Sequence, residues 1–263
     1  MEIVEAANNK ALVFFYEALG TGFLVYAINL QAGGYFGQFG IAFMLFALLL
    51  IGGPITGAHY NPAVTVGVYT SNRHWKEDIP MFILMISAQV IGAIFGTYLV
   101  WMSLFNQAAS NETRGGVPYS EVAFLLPTMP YVTVWNTFFI EMICTFVFVL
   151  INLLVKTGKT SPTEDGFLSC LAVALTLLAM LTISGGKTGA CLNPAVGIAQ
   201  TLFEIIQFGD GIPFANFHPS YFSYYLWLYT VAPVTGALLA GLAHRGHLKA
   251  YDRIATKTGK LTF

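Results

Sequence analysis

Apolar residues run along this chain in long, nearly unbroken stretches, and polar residues gather in the short segments between them. Six stretches come close to or exceed the roughly 20 residues a helix needs to cross a bilayer core: Leu12–Leu30, Phe39–Pro54, Met81–Phe105, Thr133–Val155, Gly166–Ile183 and Tyr221–His244. The second and fifth are short, and each runs directly into one copy of a repeated segment. That segment reads TGAHYNPAV at Thr56–Val64 and TGACLNPAV at Thr188–Val196. Glu2 and Glu5 precede the first stretch, which lacks an obvious cleavage site, so it reads as a retained span and not a signal peptide.

The repetition extends beyond the boxes. Asn61 and Asn193 stand 132 positions apart, and Glu17 and Glu141, one inside the first span and one inside the fourth, stand 124 apart. Similar offsets indicate a duplicated unit of three spans. An odd number of crossings makes the second copy enter the membrane from the opposite face, which gives two halves related by an in-plane pseudo-two-fold axis. The chain is thus expected to be one channel-like domain over residues 1–263, with inverted repeats at about 1–110 and 130–250. The boundary falls near Asn106–Val132, where Gly115, Gly116, Pro118, Pro127 and Pro130 cannot continue a helix.

Within each box, Asn followed by Pro is a helix start: Asn caps, and Pro fits the first helical position, where its missing N–H costs nothing. The tails Ala63–Thr70 and Ala195–Phe203 are too short to span and should be half-helices that enter from opposite faces and meet end to end at the midplane. Residues 56–60 and 188–192 just upstream cannot then be helical. At membrane depth such backbone is tolerated only where it is buried in protein or lines a water-filled cavity. An ionisable group inside a span costs about 2.5–3.5 kcal/mol or more. Glu17 and Glu141 are therefore expected to accept hydrogen bonds from the N–H groups of these segments and turn their carbonyls toward a lumen.

Composition agrees with a membrane protein: of 263 residues, 56% are hydrophobic and only 10% charged, with mean hydropathy +0.67. With both termini cytoplasmic, ten of the twelve Lys and Arg residues lie inside (Lys10, Arg73, Lys76, Lys156, Lys159, Arg245, Lys249, Arg253, Lys257, Lys260), and only Arg114 and Lys187 lie outside. The formal net charge of −1 gives no hint of a nucleic-acid partner. The basic tail Arg245–Lys260 reads as a solvated end, with contact to lipid headgroups as the alternative. Cys144, Cys170 and Cys191 have no metal-ligand spacing and suggest no disulfide framework. No cofactor is expected, and no catalytic constellation points to an enzyme.

Smaller features fit the same plan. Gly92 and Gly96, and Gly236 and Ala240, are spaced for close helix packing. Trp75, Trp101, Trp135 and Trp227 read as interfacial anchors. The GKT within KTGKTSPTEDG lacks the opening glycine of a phosphate loop. Asn111-Glu112-Thr113 matches a glycosylation acceptor.

The two Asn-Pro-Ala boxes, the Glu of the first and fourth spans, the Gly-Ala-His before the first box and VAPVTGA in the sixth span together resemble the aquaporin and aquaglyceroporin family. The resemblance covers nearly all of the chain. It implies an all-α membrane protein with six transmembrane helices and two re-entrant half-helices, a homotetramer in the lipid membrane with one pore per subunit. Water and small neutral solutes would pass in single file, with Asn61, Pro62, Ala63, Asn193, Pro194 and Ala195 at the midplane and the amides of both Asn donating to the solute. His59 and Cys191 would lie near the lumen, His59 as a bonded neutral ring or a pH-sensing donor.

The resemblance also exposes an anomaly. Most of the family has arginine after the second box, in the narrowest ring of the pore; here that position is Val196. Counting gaplessly from the two Asn residues gives Ile41, Leu181 and Ala190 as the other ring members, all aliphatic. Three consequences compete: a relaxed filter open to ammonia, hydrogen peroxide or small polyols such as glycerol; a dewetting constriction with little flux; or partial replacement of the lost charge by Lys187. A rival from another class keeps the fold as a non-conducting structural subunit of a membrane assembly.

Overall fold

The computed structural model describes residues 9–31, 36–72, 78–108, 113–114, 117–118, 133–159, 161–208 and 221–258. Arg73, Trp75, Lys76, Asn111 and Lys260 lie outside them. Six helices are long and apolar enough to cross a bilayer: α1 Lys10–Gln31, α2 Gly37–Thr56, α4 Ile79–Ala108, α5 Val134–Lys156, α6 Gly166–Thr188 and α8 Tyr221–Thr258. Two shorter ones, α3 Pro62–Ser71 and α7 Pro194–Phe208, have 10 and 15 residues. At about 1.5 Å per residue neither crosses a core of about 30 Å. A two-residue antiparallel pair, Thr113–Arg114 with Val117–Pro118, lies between α4 and α5.

Local chemistry sets the helix ends. Asn9 Oδ1 accepts the N–H groups of Ala11 and Leu12 at 3.1 and 3.2 Å at the start of α1. Asp165 Oδ1 accepts Phe167 N–H at 2.8 Å at the start of α6. Each satisfies donors that have no partner in the first turn of a helix.

Three boundaries differ by five residues or more from those read in the sequence. Helix α6 continues from Ile183 to Thr188, because Gly185, Gly186 and Lys187 keep helical geometry until Gly189 closes it. Lys187 therefore sits in the last turn of a helix and not in the following loop. Helix α7 runs to Phe208, beyond the expected Phe203. Helix α8 does not stop at His244; the basic tail stays helical through Thr258.

The packing recurs in pairs. Helix α1 packs most extensively on α4, and α5 on α8. In the first pair a Cβ at Gly92 would overlap the carbonyl of Ala18, one residue after Glu17; in the second a Cβ at Gly236 would overlap the carbonyl of Met142, one residue after Glu141. Only glycine allows two backbones so close. Half-helix α3 packs mainly on α8, the third span of the other half, while α7 packs on α8 of its own half and on α4 of the other. Outward positions such as Phe15, Phe43, Ile51, Met102 and Ile206 remain more than half exposed, as expected of surfaces that face lipid.

Candidate functional site

Each repeated segment begins where a span ends: Thr56 and Thr188, expected to be non-helical, are the last residues of α2 and α6, and only 57–60 and 189–192 leave the helix. Gly57 and Gly189 leave α2 and α6 with φ of 83° and 85°, and their N–H groups donate to Gly53 O and Gly185 O at 3.0 and 3.1 Å. Glycine suits this left-handed region, yet the backbone stays in it without glycine. Ala58, Tyr60, Ala190 and Leu192 have φ of 50°, 49°, 52° and 51°, at a cost of roughly 1–2 kcal/mol each. A strained backbone persists only when its surroundings over-determine it.

The two buried carboxylates do so. Glu17 Oε1 accepts Thr56 Oγ1–H at 2.6 Å and His59 N–H at 3.0 Å, and its Oε2 accepts Tyr60 N–H at 2.8 Å. Glu141 repeats the set: Oε1 accepts Thr188 Oγ1–H at 2.5 Å and Cys191 N–H at 3.1 Å, and Oε2 accepts Leu192 N–H at 2.9 Å. The threonines pass the constraint on, accepting the N–H groups of Ala58 and Ala190 at 2.9 and 3.3 Å. Both glutamates have zero exposure, so each donor satisfies a carboxyl oxygen that would otherwise be buried without a partner.

With the N–H groups gathered on the carboxylates, the carbonyls point elsewhere. Among the described residues, the carbonyl oxygens of Ala58 and His59 in one segment and of Ala190 and Cys191 in the other accept no hydrogen bond. Buried backbone oxygens are rarely left so.

The segments meet at the two asparagines. Asn61 Oδ1 accepts Ala63 N–H at 2.8 Å while its Nδ2 donates to Leu192 O at 2.9 Å. Asn193 Oδ1 accepts Ala195 N–H at 3.0 Å while its Nδ2 donates to Tyr60 O at 3.0 Å. Each amide thus caps its own half-helix and latches onto the opposite segment. An amide nitrogen carries two hydrogens, so one from each remains. Pro62 and Pro194 begin α3 and α7, and Ala63 and Ala195 are fully buried behind them.

The symmetry breaks around Glu17. Gln89 on α4 donates from Nε2 to Glu17 Oε2 at 2.8 Å and to Thr65 Oγ1 at 2.9 Å, and Thr65 lies 3.1 Å from His59 Nδ1. Counting back from Gly236 as Gln89 lies from Gly92 reaches Pro233, which has no donor, so Glu141 lacks this partner. His59 stands between spans; burial, opposed by Glu17 and assisted by Lys156, lowers its pKa to about 4. The ring is therefore neutral near pH 7. Lys156, at the end of α5, donates from Nζ to Gly57 O at 2.8 Å. It lines a cavity of about 780 Å³ with Gly57, Glu164, Ser169 and Cys170.

The four aliphatic positions are all buried, Ile41, Leu181 and Ala190 in one apolar cluster and Val196 in a second with Cys191, Ala195, Leu228 and Tyr229. Cys191 Sγ sits 3.2 Å from Asn193 O. Lys187 Nζ donates to Ile183 O at 2.9 Å, closing its own helix. Thr56, Thr188, Gln89, Tyr229 and Lys156 were not singled out in the sequence, although both threonines open the repeated segment and were visible there. Tyr229 donates to Thr188 O at 2.8 Å. Among the described residues no group of three or more His, Cys, Asp or Glu is placed to hold a metal ion.

A family model described as major intrinsic protein matches residues 3–244. Aquaporin AqpM of Methanothermobacter marburgensis is 28% identical over 209 residues, 79% of this chain and 72% of that protein. An aquaporin of Laccaria bicolor is 30% identical over 196 residues, 74% of this chain and 72% of the relative. The X-ray structure of the aquaglyceroporin from Plasmodium falciparum superposes with a TM-score of 0.76 at 22% identity, covering 93% of this chain and 99% of that one.

Proposed function

The chain belongs to the major intrinsic protein family, and from that premise we propose that it is a passive membrane channel for water and small uncharged solutes. The carrying observation is that each segment has carbonyls with no hydrogen-bond partner, Ala58 and His59 in one and Ala190 and Cys191 in the other among them, beside the two amide latches. A file of water supplies hydrogens to those oxygens. The remaining N–H of Asn61 and of Asn193 donates to a molecule between them, which turns that molecule's own hydrogens outward and interrupts a proton wire. Two half-helices present their positive ends to the same point and disfavour cations.

In this reading Ile41, Leu181, Ala190 and Val196 form a narrow ring without a cation. Without guanidinium donors, selection rests on diameter and polarity, so glycerol, ammonia or hydrogen peroxide accompany water. The protein assembles as a homotetramer with both termini in the cytoplasm. The ring is tested by Val196→Arg in proteoliposomes under glycerol, urea and ammonia gradients. The substitution is expected to narrow the solute range; unchanged uptake of the larger solutes would remove Val196 from the filter. An aliphatic ring can also shut a pore by dewetting, and the non-conducting structural subunit is the second reading.

A further inference from the structure

Beyond Leu239 and Leu242 of α8, 45% and 56% exposed, the helix continues for four more turns as RGHLKAYDRIATKT, in which apolar residues give way to charged ones. Arg245, Lys249 and Arg253 follow one another at steps of four, which drift only about 40° per step around a helix, with Asp252 between them on the same face. These four side chains line a shallow cavity of about 420 Å³. Asp252 is already paired: Lys159, from the segment after α5, approaches its Oδ1 at 3.3 Å. The Nε of Arg245 is buried with no hydrogen-bond partner, although a buried guanidinium donor without an acceptor is costly.

Depth matters as much as charge. At about 1.5 Å per residue, Arg245 lies about 4.5 Å beyond Leu242 along the axis, within a headgroup layer of about 5–8 Å on each side of the hydrocarbon core. Lys249 and Arg253 start about 10 and 16 Å out. Helical side chains lean toward the helix N-terminus, and the N-terminal direction of α8 leads back into the membrane. All three basic side chains therefore lean toward the headgroup layer.

We propose that Arg245, Lys249 and Arg253 form a binding site for the phosphate of an anionic phospholipid in the leaflet on this face of the protein. The guanidinium of Arg245, whose Nε has no partner within the protein, neutralises the lipid phosphate together with Lys249 and Arg253, and Lys159 keeps Asp252 from repelling it. Such basic clusters immediately beyond a span gain about fivefold in affinity per residue at low screening. The site does not depend on the pore conducting.

The test is native mass spectrometry of the full-length protein, titrated with phosphatidylglycerol, phosphatidylcholine or inorganic phosphate. Wild type is expected to retain phosphatidylglycerol at least tenfold more tightly than phosphatidylcholine. The Arg245→Gln/Lys249→Gln/Arg253→Gln variant is expected to lose that preference, and Lys187→Gln, on another helix, to keep it. Arg245→Lys, which keeps the charge but removes the guanidinium, is expected to fall between them and guards against loss of fold in the triple variant. Equal retention of both lipids by wild type, or undiminished preference in the triple variant, would overturn the site. Competition by millimolar inorganic phosphate would overturn its assignment to lipid.

Discussion

At the scale of single residues, the two glutamates hold a strained backbone in place. Removing Glu141 by Glu141→Ala leaves Thr188 Oγ1–H and the N–H groups of Cys191 and Leu192 without their acceptor. At roughly 1–3 kcal/mol per orphaned donor, the thermal unfolding midpoint of the purified protein should drop steeply; a midpoint within a degree of wild type would show that the segment holds its shape otherwise. His59 makes a prediction about pH. Desolvation of its half-buried ring lowers its pKa to about 4, so the stability gained by holding it neutral is present above its ordinary pKa of about 6.5 and lost as pH falls toward 4. Flux measured from pH 6 to 8 should be flat, and a step in that range that disappears in His59→Ala would contradict the assignment. The sequence marked Glu17, Glu141 and both asparagines through their repetition. It did not mark Gln89, and it marked Lys156 only as a cytoplasmic charge, because each occurs in one half only and repetition was the signal for the site.

At the scale of elements, the contacts that matter are backbone against backbone. Gly92→Val pushes α4 off the Ala18 carbonyl and Gly236→Val pushes α8 off the Met142 carbonyl, and both shifts propagate to the neighbouring glutamate. Each variant is expected to lose monodispersity in size-exclusion chromatography, whereas Gly246→Ala, at a position with open space around it, should behave as wild type; a well-behaved Gly92→Val would refute the close crossing. The spans themselves were legible from apolar length. Their ends were less so, since Gly185, Gly186 and the basic run after His244 read as breaks but remain helical. Helix continuity there follows from backbone geometry, and a glycine pair or a switch to charge does not by itself end a helix. The half-helices were legible from Asn-Pro alone, because cap and first-turn chemistry is local. The reciprocal latch between Asn61 and Leu192, and between Asn193 and Tyr60, joins residues more than 130 positions apart and could not be read from either box.

At the scale of the whole molecule, α3 rests on a span of the opposite half and each asparagine amide latches onto the opposite segment, so neither half completes its own site. The two amide latches join the segments beside their unpartnered carbonyls. Whether molecules pass between them is decided by osmotic water permeability, measured by stopped-flow light scattering on proteoliposomes holding the wild-type protein beside protein-free liposomes of the same lipid. The account predicts shrinkage well faster than the lipid background. Shrinkage at the background rate, from protein that keeps its helical content and monodispersity, would contradict it and leave the aliphatic ring as a closed constriction in a structural subunit.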